Sequence, residues 1–211
     1  MSGELRRMIV TGEIEPGQRI LAKDVASRFG VSHIPVREAM RRLEGEGLLR
    51  YHSQRGAVAT DISLAELAEI YDLRRFLECR AAAAAVSSFD DEYVGRVRDA
   101  LAELERTRAE DPHGEAFFDA HHSFHWLLIA PGCSALVERM LRHLWSAADR
   151  YVHLGLEQAP TPGAGRHHRE LYRAASDRDA DRLVQLVDDH LHRTEASVLA
   201  HLQHLAPPAE A

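Results

Sequence analysis

The stretch GVSHIPVREAMRRLEGEGLLR, residues 30–50, decides the fold of the N-terminal part of the chain. Four apolar residues follow one another at helical spacing: Val36, Ala39, Met40 and Leu43. This spacing predicts an amphipathic helix. Ser32 can cap its start, and Pro35 fits its first turn because the missing N–H would have no partner there. The opposite face carries Arg37 and Arg41, four residues apart.

The flanking segments extend this helix into a recognisable motif. The pattern of residues 21–30 predicts a preceding helix that ends at a glycine. Residues 4–11 predict a shorter helix, and EPGQRI (15–20) predicts a turn between the two. Residues 48–60 read as two short strands around a turn at 54–56. Two helices joined by a tight turn and followed by a β-hairpin form a winged helix-turn-helix. Its arginine-bearing face favours DNA binding in a major groove.

Composition limits the class of protein. With 45% hydrophobic and 28% charged residues, the chain has the composition of a soluble globular protein. It contains no apolar run long enough to span a bilayer, and its N-terminus lacks the apolar core of a signal peptide. Cys79 and Cys133 do not suggest a disulfide framework. We therefore expect a cytoplasmic protein with no membrane partner.

Charge is divided unevenly along the chain, whose net charge is −7. Residues 1–60 hold ten Lys/Arg against seven Asp/Glu, a net charge of +3. Residues 61–211 hold 16 Lys/Arg against 26 Asp/Glu, a net charge of −10. This asymmetry predicts a basic module joined to an acidic one.

Residues 61–205 read as helical throughout. Apolar periodicity, a Ser63-x-x-Glu66 capping box and Pro- or Gly-containing breaks predict six helices: 61–86, 90–109, 114–130, 134–157, 165–177 and 179–204. The predicted fold is mainly α, with an N-terminal winged helix-turn-helix in residues 1–60 and a C-terminal antiparallel all-α bundle in 61–205. The tail, 206–211, is expected to be disordered.

Histidine is concentrated in the second module, which holds 12 of the chain's 14. The segment FFDAHHSFH, residues 117–125, places His121 and His125 four apart, and thus on one face of a helix. These residues alone leave two interpretations open: an ordinary surface pair, or two ligands of a common site.

The N-terminal segments resemble the GntR family of bacterial transcription regulators. The resemblance rests on GEIEPGQRI (12–20), LAKDVASRFGVSHIPVREAMRRLEGEGLLR (21–50) and QRGAVA (54–59). It implies a DNA-binding set: Lys23, Ser32, His33, Arg37, Arg41, Arg55 and Gly56. The last two would form a wing tip in the minor groove. The family's usual Arg-Thr before the proline is His33-Ile34 here, which implies an altered half-site.

The helical remainder carries three motifs: Arg74-x-x-Leu77-Glu78 before an alanine run, Phe124-His125-x-x-Leu128, and His168 with Asp179 and His190 at 11 and 22 residues after it. With these motifs it resembles the FCD effector domain of the FadR subfamily.

This second resemblance implies a divalent metal site. Its ligands would be His121, His125, His168 and His190, with His121 at the family's aspartate position. Four imidazoles suit Zn²⁺, with Ni²⁺ or Cu²⁺ as alternatives. The neighbouring His122, His167 and His192 are expected at the surface or behind the ligands. The resemblance implies a small carboxylate metabolite as effector, and a site without a carboxylate ligand is one charge more positive, which should strengthen its attraction for such an anion. Arg74 would be its clamp, or else part of an internal ion pair.

Together the resemblances imply a ligand-responsive transcription regulator, and not an enzyme. It would bind operator DNA as a homodimer, and the general frequency of repressors suggests that it is one. Two alternatives remain. A metal-dependent hydrolase could use the same histidines, although it lacks an evident general base and leaves residues 1–60 unexplained. An effector domain could also bind its ligand without metal.

Overall fold

Three helices and a small sheet form the N-terminal part of the chain. In order they are α1 (Ser2–Val10), β1 (Arg19–Ile20), α2 (Ala22–Phe29), α3 (His33–Gly45), β2 (Leu49–His52) and β3 (Gly56–Ala59). The structure, a computed structural model, describes residues 1–45, 47–52, 56–112, 114–156 and 164–205. Arg55 and the tail 206–211, about which the sequence made predictions, therefore lie outside the described residues.

The sheet has three antiparallel strands in the order β1-β3-β2. The sequence predicted only the hairpin of β2 and β3. Strand β1 was missed because it has two residues, Arg19 and Ile20, inside a segment dominated by turn signals. It pairs with β3 at Val58 and Ala57.

The helix-turn-helix follows from two local features. Gly30 closes α2 in the left-handed conformation, at a φ of +64° that a side chain would disfavour. Helix α3 then buries the four apolar residues predicted from their spacing: Val36, Ala39, Met40 and Leu43. All but Ala39 belong to an apolar core that runs from Leu5 to Ala59.

Six helices follow within the described residues, as predicted. They are α4 (Leu64–Ala85), α5 (Asp91–Glu110), α6 (Glu115–Ile129), α7 (Ala135–Leu156), α8 (Ala164–Ser176) and α9 (Ala180–Leu205). Short 3₁₀ turns at Val86–Ser88 and Ala130–Gly132 follow α4 and α6. The predicted cap at Ser63 is present, since its side chain accepts the Glu66 backbone N–H at 3.2 Å. The bundle has an apolar core of its own, from Leu67 to Leu202.

One contact in the bundle is made by backbone rather than by side chains. The turn containing Gly132 lies against α4 where that helix buries Ala81, Ala82 and Ala85. A Cβ atom added at Gly132 would lie 2.0 Å from the Ala81 carbonyl oxygen and 2.9 Å from the Ala85 nitrogen. Only glycine fits this position.

The N-terminal part contacts the bundle through α1 and α7. Arg6 Nη1 donates to Ser146 Oγ at 2.9 Å, and a Cβ atom added at Gly47 would lie 3.7 Å from the His143 ring. Among the described residues, none of the helices is both long and apolar enough to cross a membrane.

Candidate metal centre and nucleic-acid interface

Helix α3 presents a basic face to solvent. With Val36 and Met40 buried below it, the exposed side of the helix carries Arg37 and Arg41. Both guanidinium groups lie on a rigid helix anchored in the core. Each offers a planar set of donors, which can grip guanine O6 and N7 or a phosphate.

Three further predicted DNA-binding residues are exposed on α2, before α3 and at its first position. Lys23 on α2, together with Ser32 and His33, is solvent-exposed. Ile34 is 70% exposed, which is unusual for an isoleucine and leaves its side chain free to contact a thymine methyl. The structure thus places five of the predicted DNA-binding residues at the surface: Lys23, Ser32, His33, Arg37 and Arg41.

The hairpin of β2 and β3 is the wing, and its first strand is anchored to α3, the recognition helix. The Tyr51 backbone N–H donates to Glu44 Oε1 at 3.2 Å, which ties β2 to the end of α3. Gly56 begins β3 with a φ of +75°, as a tight turn requires. Arg55, the predicted wing-tip residue, lies outside the described part of the chain. Sequence reasoning did not foresee the Glu44 anchor, because it depends on how the hairpin packs.

Four imidazoles meet inside the bundle. Helix α6 supplies His121 and His125, α8 supplies His168 and α9 supplies His190. One ring nitrogen from each lies within 4.8 Å of the corresponding nitrogen of the other three. The structure therefore brings together the four residues that the sequence predicted as ligands.

The rings pack against one another at short range. The centroids of His125 and His190 are 4.2 Å apart in a stacked arrangement, and those of His121 and His125 are 4.4 Å apart. His125 and His168 are buried, with 8% and 2% of their surface exposed. Phe124 packs edge-on against His168 and fixes its plane.

The hydrogen bonds of His168 define its tautomer. Arg108 Nη2 donates to His168 Nδ1 at 2.8 Å, because arginine has no acceptor. A neutral His168 that accepts at Nδ1 carries its proton on Nε2. That N–H then donates to Nε2 of His125 at 3.1 Å, which leaves His125 protonated at Nδ1.

The cluster is neutral at physiological pH. Burial, reinforced by the neighbouring imidazoles and by Arg74, lowers the pKa of His125 and His190 well below the ordinary value. Burial and the coulombic effect of His190 do the same to the pKa of His121. For His168, burial followed by His121 and Arg108 lowers the pKa to about 2. Neutral imidazole is the form that binds metals.

The neighbouring histidines differ in role. His167 is buried, and its Nε2 donates to the Leu186 carbonyl at 3.0 Å. Its ring stacks on His190 at 5.5 Å, so it supports that residue from behind. His122 points away from the cluster and pairs with Asp149 at 2.9 Å. His192 is exposed and contacts Arg75.

Arg74 lies beside the cluster in an internal ion pair. Its Nε donates to Glu78 Oε1 at 2.8 Å, and the same oxygen accepts the indole N–H of Trp145 at 2.7 Å. The guanidinium also lies over the ring of Tyr71. Of the two roles considered from the sequence, the ion pair is therefore the one seen.

Arg108 was not identified from the sequence. A signal was nevertheless present, because Leu101, Leu104 and Arg108 share one face of α5 at i, i+3 and i+7. Two of these residues are core leucines, and an arginine in line with them points toward the interior.

The donor set fits a divalent metal. One ring nitrogen from each of four neutral imidazoles, on three helices, lies within 4.8 Å of the other three, and imidazole nitrogens of this kind would hold a divalent ion such as Zn²⁺. His168 would have to change partners, since its Nε2 carries a proton while Arg108 occupies Nδ1.

A winged helix-turn-helix joined to a helical domain with a polar internal site is the architecture of a transcription regulator. Residues 2–58 match the model of the bacterial regulatory proteins of the gntR family, and residues 69–193 match that of the FCD domain. The chain belongs to the GntR family of transcription regulators and carries an FCD domain. As this family assignment implies, it is a regulator and not an enzyme.

Individual relatives agree with this assignment. The chain is 30% identical to the HTH-type transcriptional repressor RspR of Escherichia coli, over 92% of this chain and 85% of RspR. It is 26% identical to the HTH-type transcriptional repressor GlaR of E. coli, over 89% of each chain. A solved GntR-type chain from Rhodococcus sp. RHA1 superposes with a TM-score of 0.77 at 25% identity, covering 94% of this chain and 95% of that one.

Proposed function

We propose that this regulator holds a divalent metal in its FCD domain and binds a small carboxylate metabolite there. It binds operator DNA as a homodimer and acts as a repressor at the bacterial nucleoid. In this proposal residues 1–60 form the DNA-binding domain and 61–205 the metal- and effector-binding domain. The names of RspR and GlaR support the assignment as a repressor.

The observation that carries the metal proposal is the convergence of four neutral imidazoles from three helices within 4.8 Å. Neutral imidazole nitrogens that converge in this way form a donor set that a divalent cation can bind. Nitrogen-only ligation supports Zn²⁺, with Ni²⁺ as the alternative. When bound, the metal would supply a Lewis-acidic position for an anionic ligand.

The charges around the cluster support an anionic effector. His121, His125, His168 and His190 bring no negative charge to a divalent ion, and Arg108 adds a positive one. Arg74 is largely neutralised by Glu78, so as an effector clamp it would have to exchange this partner. An effector transmits a signal only if it binds the two arrangements of the dimer with different affinity.

Metal analysis of protein purified without a histidine tag tests this proposal. We expect about one zinc per wild-type chain and a loss of most of it in His168→Ala, because a site with three ligands binds far less tightly. A matched control is His192→Ala, whose side chain is exposed outside the cluster. Wild-type protein without stoichiometric metal would show that the effector domain works without one.

The DNA-binding proposal rests on the exposed face of α3. Arg37→Ala should weaken operator binding by about tenfold or more, since a bidentate base contact contributes about 1–3 kcal/mol. Electrophoretic mobility shifts with an operator fragment selected by the protein itself would measure this. The control is Arg106→Ala, because Arg106 is an exposed arginine on α5 that is paired with Glu103 and Glu110. Equal affinity for Arg37→Ala would remove α3 from the interface.

Apolar exposure supports the homodimer. Leu73 and Phe76 on α4 are 50% and 66% exposed, and Leu136 and Met140 on the adjoining α7 are 58% and 43% exposed. Apolar side chains paired at helical spacing on two packed helices are a typical subunit contact.

The hydrolase alternative finds little support. The cluster consists of imidazoles alone among the described residues. The nearby carboxylate of Glu78 is engaged by Arg74 and Trp145, which makes it a poor general base.

A further inference from the structure

A second candidate binding site lies between the DNA-binding part and the bundle. It is a pocket of about 540 Å³, a volume typical of sites for small organic ligands. Its walls come from α1 and α3 on one side and from α6 and α7 on the other. It is separate from the histidine cluster, none of whose four members lines it.

The lining is strongly basic. Arg6 and Arg42 reach it from the N-terminal part, and Arg142 from α7. The acidic lining residue, Asp149, is paired with His122 at 2.9 Å. The positive charge of Arg142 is partly neutralised by Glu138, which is not one of the lining residues. With three guanidiniums against one carboxylate, the lining carries a formal charge of +2 in a chain whose net charge is −7.

The pocket also has apolar aromatic walls. Trp126 and Trp145, the chain's two tryptophans, both line it, with ring centroids 6.0 Å apart in an edge-to-face arrangement. Arg142 lies over the Trp126 ring at 5.3 Å, which fixes the guanidinium at the aromatic wall. Cationic groups beside indole rings suit a ligand that combines an anionic head with a flat apolar body.

We propose that this pocket binds a small aromatic carboxylate. The arginines take the carboxylate, and the indoles contact the ring. Because Arg42 lies on the same helix as Arg37 and Arg41, the ligand would join the recognition helix directly to α6 and α7. The effect of this ligand on DNA binding rests on the proposed function, whereas the binding of the ligand to the pocket does not.

Tryptophan fluorescence of the full chain tests the proposal, since both indoles line the pocket. Benzoate should give a saturable change with a Kd in the millimolar range, and benzamide, its neutral counterpart, should give none. In Arg42→Ala and Arg142→Ala the Kd should rise by about tenfold, the loss expected for one charge-assisted hydrogen bond. Arg98→Ala should bind as the wild type does, because Arg98 is an exposed arginine on α5 whose local partner is Asp99.

The same titration in His168→Ala separates this site from the metal centre. Binding that persists in His168→Ala and weakens in Arg42→Ala supports the pocket even if no metal is found. Binding lost in His168→Ala but unchanged in both arginine variants would assign the benzoate to the histidine site and overturn the proposal. Equal responses to benzoate and benzamide, or no saturation at tens of millimolar benzoate, would also overturn it. Circular dichroism of each variant checks that it is folded.

Discussion

At the scale of single residues, the contact between Arg108 and His168 opposes metal binding. His168 can present a lone pair at Nε2 only when its proton lies on Nδ1, where Arg108 now donates. A metal at the cluster therefore requires Arg108 to withdraw. Binding of the ion and displacement of a half-buried guanidinium would then be one event.

Removing this guanidinium should strengthen the metal site. In Arg108→Ala, Nδ1 of His168 is free to carry the proton and a positive charge beside the ion is lost. We expect the Kd for Zn²⁺ to fall by about tenfold, measured by competition with a chromophoric chelator. Arg106→Ala on the same helix is the control. A Kd that stays equal or rises would mean that Arg108 does not oppose the metal.

His121 stands where the family's aspartate is expected, and both residue types can bind Zn²⁺. His121→Asp should therefore retain about one metal per chain, because a carboxylate oxygen replaces the imidazole nitrogen and adds a compensating negative charge. Elemental analysis beside His121→Ala, which supplies no ligand, measures this. Loss of metal from the aspartate variant would argue against equating His121 with that position.

At the scale of elements, helices α6, α8 and α9 meet through imidazoles that are neutral when the chain is folded. The pKa of each lies below its ordinary value of about 6.5, so the unfolded chain binds more protons at mildly acidic pH. The contribution to stability is complete above about pH 6.5 and declines as the pH falls toward the folded pKa values.

The free energy of unfolding of the metal-free protein should therefore fall between about pH 7.5 and about pH 5.5. The limiting slope is about 1.4 kcal/mol per pH unit for each histidine. Urea denaturation at several pH values measures it. His168→Phe removes one of the five described histidines whose pKa is lowered, His167 included, and should reduce this histidine-dependent slope by about a fifth. An unchanged slope in that variant would mean that His168 is not held neutral in the folded state.

The elements themselves could largely be predicted from the sequence, because helical periodicity and turn residues are local signals. The apolar stripe of α3 and the cap at Ser63 were predicted and are present. Strand β1 was not, since two residues carry no periodicity. At the cluster, the four histidines were found by resemblance. The contact of Arg108 with His168 depends on how α5 and α8 pack, which spacing along one helix does not encode. The Arg74–Glu78 pair, by contrast, lies at i and i+4 on α4, so an internal ion pair could be considered from the sequence.

At the scale of the whole molecule, the exposed apolar residues of α4 and α7 predict self-association. Phe76→Asp would place a charge in the proposed interface and should shift the protein from dimer to monomer, as measured by analytical ultracentrifugation at micromolar concentration. Arg98→Asp alters charge at an exposed position on α5 and should remain dimeric. A dimer that persists in Phe76→Asp would exclude this part of α4 from the subunit contact.

The close approach of Gly132 to Ala81 and Ala85 has a consequence for how the sequence can vary. A protein core is usually destabilised most when a large side chain is shortened, but Gly132 has no side chain to shorten. Even one added methyl group at Gly132 has no room, and larger side chains at the buried alanines would force the same two segments apart. The positions least tolerant of substitution in this bundle therefore include some of its smallest residues. At these positions, a substitution that enlarges the side chain is the one that destabilises the fold.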